Sequence, residues 1–354
     1  MIQSWSLKTT SRQRVRLTLR YIASTLILSY GLAIDMTTHV MSNSLVQPHV
    51  ICAGILVADL FIPPLSNLPA AGELVATTDF LTDSGGCAAN VATALAKLDV
   101  AAGVAGKLGH DLFGDFILQD LSAKGVNTDA VSRSATYGTS KTVILPVKGQ
   151  DRRYIHTFGA NADFRGSDID LTNLTEVRVF YVGGYLILPG LTAPELGAHF
   201  KRAQANGVQT VLDVVVPADD QHASMHALEA VLPHVDVFLP NDEEAARLTG
   251  VRDPEQQAKR LLQLGCKTVV ITQGERGALL ATTQQVQHVP AFPVEVVDPS
   301  GAGDAFAAGF IVGLLERWDI SKTLRFASII GASACTKLGC NAGIYTRGDA
   351  VSRL

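Results

Sequence analysis

Charge and cysteine are both scarce in this chain. Only 18% of its 354 residues are charged, and 29 Lys and Arg against 33 Asp and Glu leave a formal net charge of −4. No surplus of positive charge is available to hold nucleic acid or an anionic membrane surface, so any phosphate must be gripped locally. The five cysteines, at positions 52, 87, 266, 335 and 340, are odd in number and form no CxxC pair. Such spacing argues against a disulfide framework or a zinc site and fits a reduced, cytoplasmic protein. A G-x-x-x-x-G-K-[ST] loop is missing, and no G-x-G-x-x-G follows a strand, which removes the sequence case for a Walker-type nucleotidase or a dinucleotide-dependent oxidoreductase. Aromatic residues make up only 6%. That figure neither supplies nor excludes an apolar pocket for a nucleobase.

Apolar residues are plentiful, at 47%, enough for one large buried core. Residues 1–48 stand apart. Lys8, Arg12, Arg14, Arg16 and Arg20 precede "YIASTLILSYGLAI", an uncharged run shorter than the roughly 20 apolar residues of a membrane span and without a clear small-residue cleavage site after it. This segment reads as a disordered or dispensable extension, or as the product of an upstream start with Met41 as the true one; targeting and membrane attachment are the other readings. Stable membrane insertion is not expected.

From residue 49 the pattern alternates. "HVICAGILVADL" reads as one buried strand, "AANVATALAKL" as a helix, "AAGVAGKLG" as a strand and "LFGDFILQDLSAKG" as a helix stopping at Gly125. Further strands are "VRVFYVGGYLI", "TVLDVVVP", "VDVFLP" and "KTVVITQ", with "APELGAHFKRAQANG", "EEAARLTG" and "PEQQAKRLLQLG" as helices between them. Strand and helix in turn predict an α/β fold with a central, mostly parallel sheet covered by helices on both faces. Ligands of such sheets bind beyond the carboxyl ends of the strands. "GELVATTDFL" (72–81) and "GTSKTVILPVKGQDRRYIHTFGAN" (138–161) break the rhythm. The second reads as a hairpin, and the two together predict a small separate sheet acting as a lid or as a contact between subunits.

Four stretches carry candidate chemistry. In "DPSGAGDAFAAGF" (298–310), Gly301, Ala302 and Gly303 leave the backbone bare at the head of an apolar helix whose first turn carries Asp304. Unpaired N–H groups and the helix dipole favour an anion there, although a glycine-assisted turn with a stabilising acid reads equally well. In "DSGGCAANVATALAKL" (83–98), Gly85 and Gly86 permit close backbone approach and Asn90 offers both donor and acceptor; a plain glycine turn is the alternative. In "VFLPNDEEAARLTG", Asn241 and Glu244 have capping-box spacing and also suit a magnesium ion held through water. "VVITQGERGALLA" gives a strand, a turn with Gly274 and Gly277, and a strand: a nucleotide rest or a plain hairpin.

In order, spacing and flanking elements these stretches resemble one family across 49–345, the PfkB or ribokinase-like carbohydrate kinases. "SGGCAANVATALAKL" is similar to its first signature, "DPSGAGDAFAAGF" to its second, and "NDEE" to its Asn-x-x-Glu motif. The resemblance implies a ribokinase-like fold, with lid segments near 60–82 and 138–161, a tail at 346–354, and transfer of the γ-phosphoryl group of ATP to a sugar hydroxyl, usually a primary CH2OH. By the same resemblance Asp304 would take the hydroxyl proton and the backbone of Gly301, Ala302 and Gly303 would form the anion hole. Asp59, Gly85, Gly86, Asn90 and Asn161 would bind the acceptor. Asn241, Thr272, Gly274, Gly277 and Gly303 would lie by the nucleotide, and Asn241 and Glu244 would orient Mg2+ through water. Asp298, Ser300 and Gly339 fall where many members hold a monovalent cation such as K+. The chain departs from ribokinases at Gly183, Gly184 and Tyr185, where an acid is usual, so ribose itself is in doubt. Lys141, Arg152 and Arg153 would meet a sugar phosphate or sugar acid, or else form a solvated basic tip. A nucleoside kinase of the same fold and a catalytically silent sugar-binding regulator are the alternatives; a homodimer through the lid is a further expectation.

Overall fold

The computed structural model describes residues 47–150, 153–216 and 225–354. The extension expected over 1–48 thus lies almost wholly outside the described residues, as does Arg152. Leu45–Leu354 is one compact unit. The chain runs through β1 (Val50–Gly54), β2 (Val57–Phe61), β3 (Leu81–Gly85), β4 (Ala102–Leu108), β5 (Asn127–Arg133), β6 (Lys141–Leu145) and β7 (Arg153–Thr157). It continues through β8 (Val179–Gly183), β9 (Gln209–Leu212), β10 (Val237–Phe238), β11 (Thr268–Thr272), β12 (Ala278–Ala281) and β13 (Val286–Val289).

Nine of these strands form the central sheet in the order β13-β12-β11-β10-β9-β8-β1-β4-β5. Every pair is parallel except β11 with β12, as the strand–turn–strand reading of "VVITQGERGALLA" requires, and β12 with β13. All five residues of β8 are buried, the mark of a strand covered on both faces. Val179 and Tyr181 join a core shared with helices Cys87–Lys97, Ala302–Leu315 and Ile320–Ala334, while Phe180 and Val182 join one with Ala193–Ala205 and Pro254–Leu262. Each large apolar side chain sealed this way contributes about 1.5–3 kcal/mol before entropy is counted.

The remaining four strands form a small sheet in the order β3-β2-β6-β7. Here the structure corrects two expectations. "HVICAGILVADL" is two strands in different sheets, separated only by Ile55 and Leu56. Both linking residues are buried, so the apolar run stays unbroken and its periodicity cannot register the change of sheet. Residues 72–80 make no strand; pairing begins at Leu81, and Leu74 is 89% exposed.

The chain passes between the two sheets at four places, and these lie against one another. Asn161, just beyond β7, clamps Leu56: its Oδ1 accepts from Leu56 N at 3.2 Å and its Nδ2 donates to Leu56 O at 3.0 Å. A Cβ at Gly86 would sit 2.4 Å from the Ile55 carbonyl oxygen, and one at Gly159 would sit 2.5 Å from that of Gly138. Backbone meets backbone at this neck. Beyond 345, where a tail was expected, Arg347–Val351 forms a short helix capped by Thr346.

Candidate active site

Helix Ala302–Leu315 begins at Gly301, whose φ of 73° is left-handed and whose missing side chain offers no cap to the first N–H groups. A Cβ there would lie 2.6 Å from the Cys340 carbonyl oxygen, so glycine is needed for space as well as conformation. At Gly303 a Cβ would meet nothing within 4 Å. The corner is therefore open on its outer side and has no side-chain cap; the Ala302 N–H donates at 3.3 Å to the Pro299 carbonyl, and the positive helix end faces outward to an anion.

Asp304 follows at once, keeping an edge on the cleft while protein packs the rest of it. Burial raises its carboxyl above the usual range, and two donors hold the rise back: Asn90 Nδ2, at 2.8 Å from Oδ2, and the Cys87 thiol. Asn90 is itself bonded through Oδ1 to Nδ2 of Asn341 at 3.0 Å. The cleft of about 180 Å³ lies at the carboxyl ends of β9, β10 and β11, lined by Gly301–Asp304 together with Asp213, Asn241, Glu244 and Thr272. A larger hollow of about 410 Å³, between β13 and helix Ile320–Ala334, has no carboxylate in its lining.

Asn241 and Glu244 form the expected capping box. Glu244 N donates to Asn241 Oδ1, and Asn241 N donates to Glu244 Oε2, each at 2.9 Å. Asn241 also bridges to Thr272, which brings both strand ends to the cleft. Burial pushes Glu244 up to about 7 against the pull of the Asn241 and Val216 N–H groups. Gly274 and Gly277 bracket an exposed turn next to Thr272 and do not line the cleft; Arg276 between them pairs with Asp242.

The acceptor candidates gather on the small-sheet side. Asp59 on β2 stands opposite Asp83 on β3 and Thr142 on β6. A Cβ at Gly85 would fall 1.9 Å from Asp59 Oδ2, so the glycine is what admits the carboxylate. Burial lifts Asp59 from 3.8 to about 7, the charges of Asp83 and Asp304 add to the lift, and a hydrogen bond from Thr142 opposes it. Asn161 is 1% exposed with both amide atoms bonded to Leu56, so it holds the neck. Asp298 is buried at 1% exposure, and its two oxygens accept from Ser300 N and Gly339 N, each at 2.9 Å, which brings that predicted trio together.

Lys141 and Arg153 make contacts within the protein, and the backbone where an acid is absent is crowded. Lys141 donates to Thr139 O at 2.9 Å and lies over the Phe113 ring, and exposed Arg153 bonds Gln150, so these cations are already engaged within the protein. The place of the absent acid is filled: a Cβ at Gly183 would lie 2.6 Å from the Tyr181 hydroxyl and 2.7 Å from Cys87 Cβ. The sequence reading missed Asp213, whose Oδ2 takes the Tyr181 hydroxyl at 3.0 Å, as well as Cys87 and Asn341. Asp213 directly follows β9, so the strand-end rule had a signal for it. Asn341 sits in an irregular loop and had none.

A mainly parallel sheet with helices on both faces, a detached small sheet, and an acid beside an open helix head define a ribokinase-like phosphotransferase with an alcohol group as acceptor. The chain belongs to the pfkB family carbohydrate kinases, whose family model matches residues 47–347. It is 31% identical over 281 residues to a ribokinase of Bacillus subtilis (strain 168), covering 79% of this chain and 91% of that one. To fructokinase-2 of Zea mays it is 28% identical over 296 residues, covering 79% and 86%. The crystal structure of a fructokinase with bound ATP from Xylella fastidiosa superposes with a TM-score of 0.73 at 25% identity, over 86% of this chain and 97% of that one. No helix among the described residues is long and apolar enough to cross a membrane.

Proposed function

We propose that this protein is an ATP- and magnesium-dependent sugar kinase that moves the γ-phosphoryl group to a primary CH2OH of a small polyol. The observation that carries the reading is the open corner at Gly303 beside Asp304. In a loose transition state charge spreads over the phosphoryl oxygens, and N–H groups of Gly301, Ala302 and Gly303 stabilise it, that of Ala302 turning from its long bond to the Pro299 carbonyl. Asp304 accepts the proton of the attacking hydroxyl. Its raised pKa brings it nearer neutrality, which makes it a better base than an exposed aspartate. Asp59, with Asn90 and the backbone at Gly85 and Gly86, takes the sugar's other hydroxyls, while Asn241, Thr272 and the turn at Gly274 and Gly277 flank the nucleotide. The crowding at Gly183 supports an acceptor other than ribose.

Magnesium, held through water by Asn241 and Glu244, would supply charge compensation on the phosphates. The donor set fits: one carboxylate and one amide at a strand end suit an ion that keeps most of its water. Asp298, with oxygens of Ser300 and Gly339, is proposed to hold a monovalent cation; the buried carboxylate is the feature that supports it. Exposed Leu81, Tyr154 and Ile155 on the small sheet, with Phe80 just before it, support a second copy of this chain as partner, read by sedimentation of the purified protein.

The test is ADP release by purified protein against pentoses, hexoses, sugar acids, sugar phosphates and nucleosides. Asp304→Asn should lower turnover on the accepted sugar by about 10²–10⁴-fold. Undiminished turnover in that variant refutes the base, and release with nucleosides alone makes the protein a nucleoside kinase.

A further inference from the structure

An ionised carboxylate only accepts hydrogen bonds. Asp304 therefore dictates the orientation of Asn90, which must turn Nδ2 toward it. That leaves Asn90 Oδ1 facing the other way, onto Nδ2 of Asn341. Each link fixes the next. Asn90 and Asn341 are both 4% exposed, so water has little room to replace either contact.

We infer that Asn341 is a positioning residue for phosphoryl transfer: by holding Asn90 Oδ1 it stops that amide from presenting its oxygen to Asp304, and so keeps the base ionised and aimed at the cleft. The inference rests on the reading of Asp304 as the base. It also separates cleanly from the other contact of this residue, because Lys97 Nζ bonds the main-chain carbonyl of Asn341 at 2.6 Å, which a side-chain substitution leaves in place.

The groups that face Asp304 come from several elements. They are Asp59 on β2, Cys87 on its helix, Tyr181 on β8, Asp213 after β9, Glu244 on its helix and Cys340 in the same loop as Asn341. Burial is what disfavours charge on Asp304, the Asn90 and Cys87 donors oppose it, and the charge of Asp304 in turn raises the three carboxylates among these groups. If the amide of Asn90 were to turn over, a donor would become a fourth source of negative potential.

The experiment compares wild type, Asn341→Leu, Asn341→Asp and Asp304→Asn in the full chain, using the best acceptor from the screen and saturating ATP and magnesium. Rates are followed from roughly pH 5 to 9, alongside KM values and thermal unfolding. Asn341→Leu should lower kcat about tenfold with the KM for ATP held within about twofold, and should move the acid limb of kcat up by about one pH step. Asn341→Asp should move it further, since a carboxylate repels Asn90 Oδ1 and adds another anion. A merely structural Asn341 would change the unfolding temperature and leave the limb where it was. If the limb stays put in both variants while Asp304→Asn is dead, the inference falls and the base stands. If Asp304→Asn turns over normally, the base reading falls and takes this one with it. Should Asn341→Leu fail to fold, Asn341→Ser and Asn341→Asp provide the same comparison.

Discussion

Acidifying the protein through neutrality should release the sugar acceptor in a way that one substitution abolishes. Asp59 is 8% exposed, and burial has moved its carboxyl from 3.8 to about 7. Sugar hydroxyls donate to the ionised form; once protonated, Asp59 offers fewer acceptors and a proton that competes for them. Below about pH 7 the acceptor kcat/KM should therefore fall about tenfold per pH step from this group alone. Two charge-assisted hydrogen bonds at about 1.5–2 kcal/mol each make Asp59→Asn about 10²–10³-fold worse in acceptor kcat/KM, with kcat less affected. Glu244 also rises to about 7, but it lines the cleft proposed for the nucleotide and its magnesium, so its limb should appear in kcat/KM for ATP. The assay is initial rate against acceptor concentration at saturating ATP across that range. Stability gives an independent reading. Because the folded pKa exceeds the unfolded one, the unfolded chain ionises first, and stability falls as pH rises from about 4 to 7, then levels. Three pH steps at about 1.4 kcal/mol make this contribution about 4 kcal/mol at most, and Asp59→Asn should flatten it. An acceptor limb near pH 7 that persists unchanged in Asp59→Asn refutes the reasoning.

Two further substitutions separate scaffold from chemistry. Gly303→Ala meets no protein atom within 4 Å and adds helix propensity, so the variant should be no less stable than wild type and up to about 1 kcal/mol more so, yet lose about tenfold or more in turnover because the new methyl fills the place proposed for the phosphoryl group. Full turnover would mean the phosphoryl group passes elsewhere. Glu244→Gln keeps the reciprocal cap, since glutamine also serves at that position, so denaturant unfolding should be unchanged while the magnesium concentration for half-maximal rate rises several-fold. An unaltered magnesium curve would leave Glu244 with its capping role alone.

Local chemistry made much of this legible. Bare residues before an apolar helix marked Gly301–Asp304, and capping-box spacing marked Asn241 and Glu244, because both depend on neighbours within one helical turn. Contacts across the chain left no such trace. Asn341 meets Asn90 across 251 positions, and nothing near either residue announces the other. The division of "HVICAGILVADL" between two sheets was hidden for a related reason: Ile55 and Leu56 are as apolar as the strands they join.

The clamped neck, together with the bonds of Asp83 and Ser84 on β3 to Lys124 and Asp120, fixes the near end of the small sheet and leaves its far rim less tied. Asp59 stands three residues from Leu56, about 10 Å along the strand, whereas the far rim near Leu145 and Arg153 lies further out along its own strands. Any tilt that sweeps the rim through a wide arc displaces the carboxylate much less. An incoming sugar could thus be caught at nearly its final position while the rim still stands clear, and the swing that follows would serve to shut out the solvent.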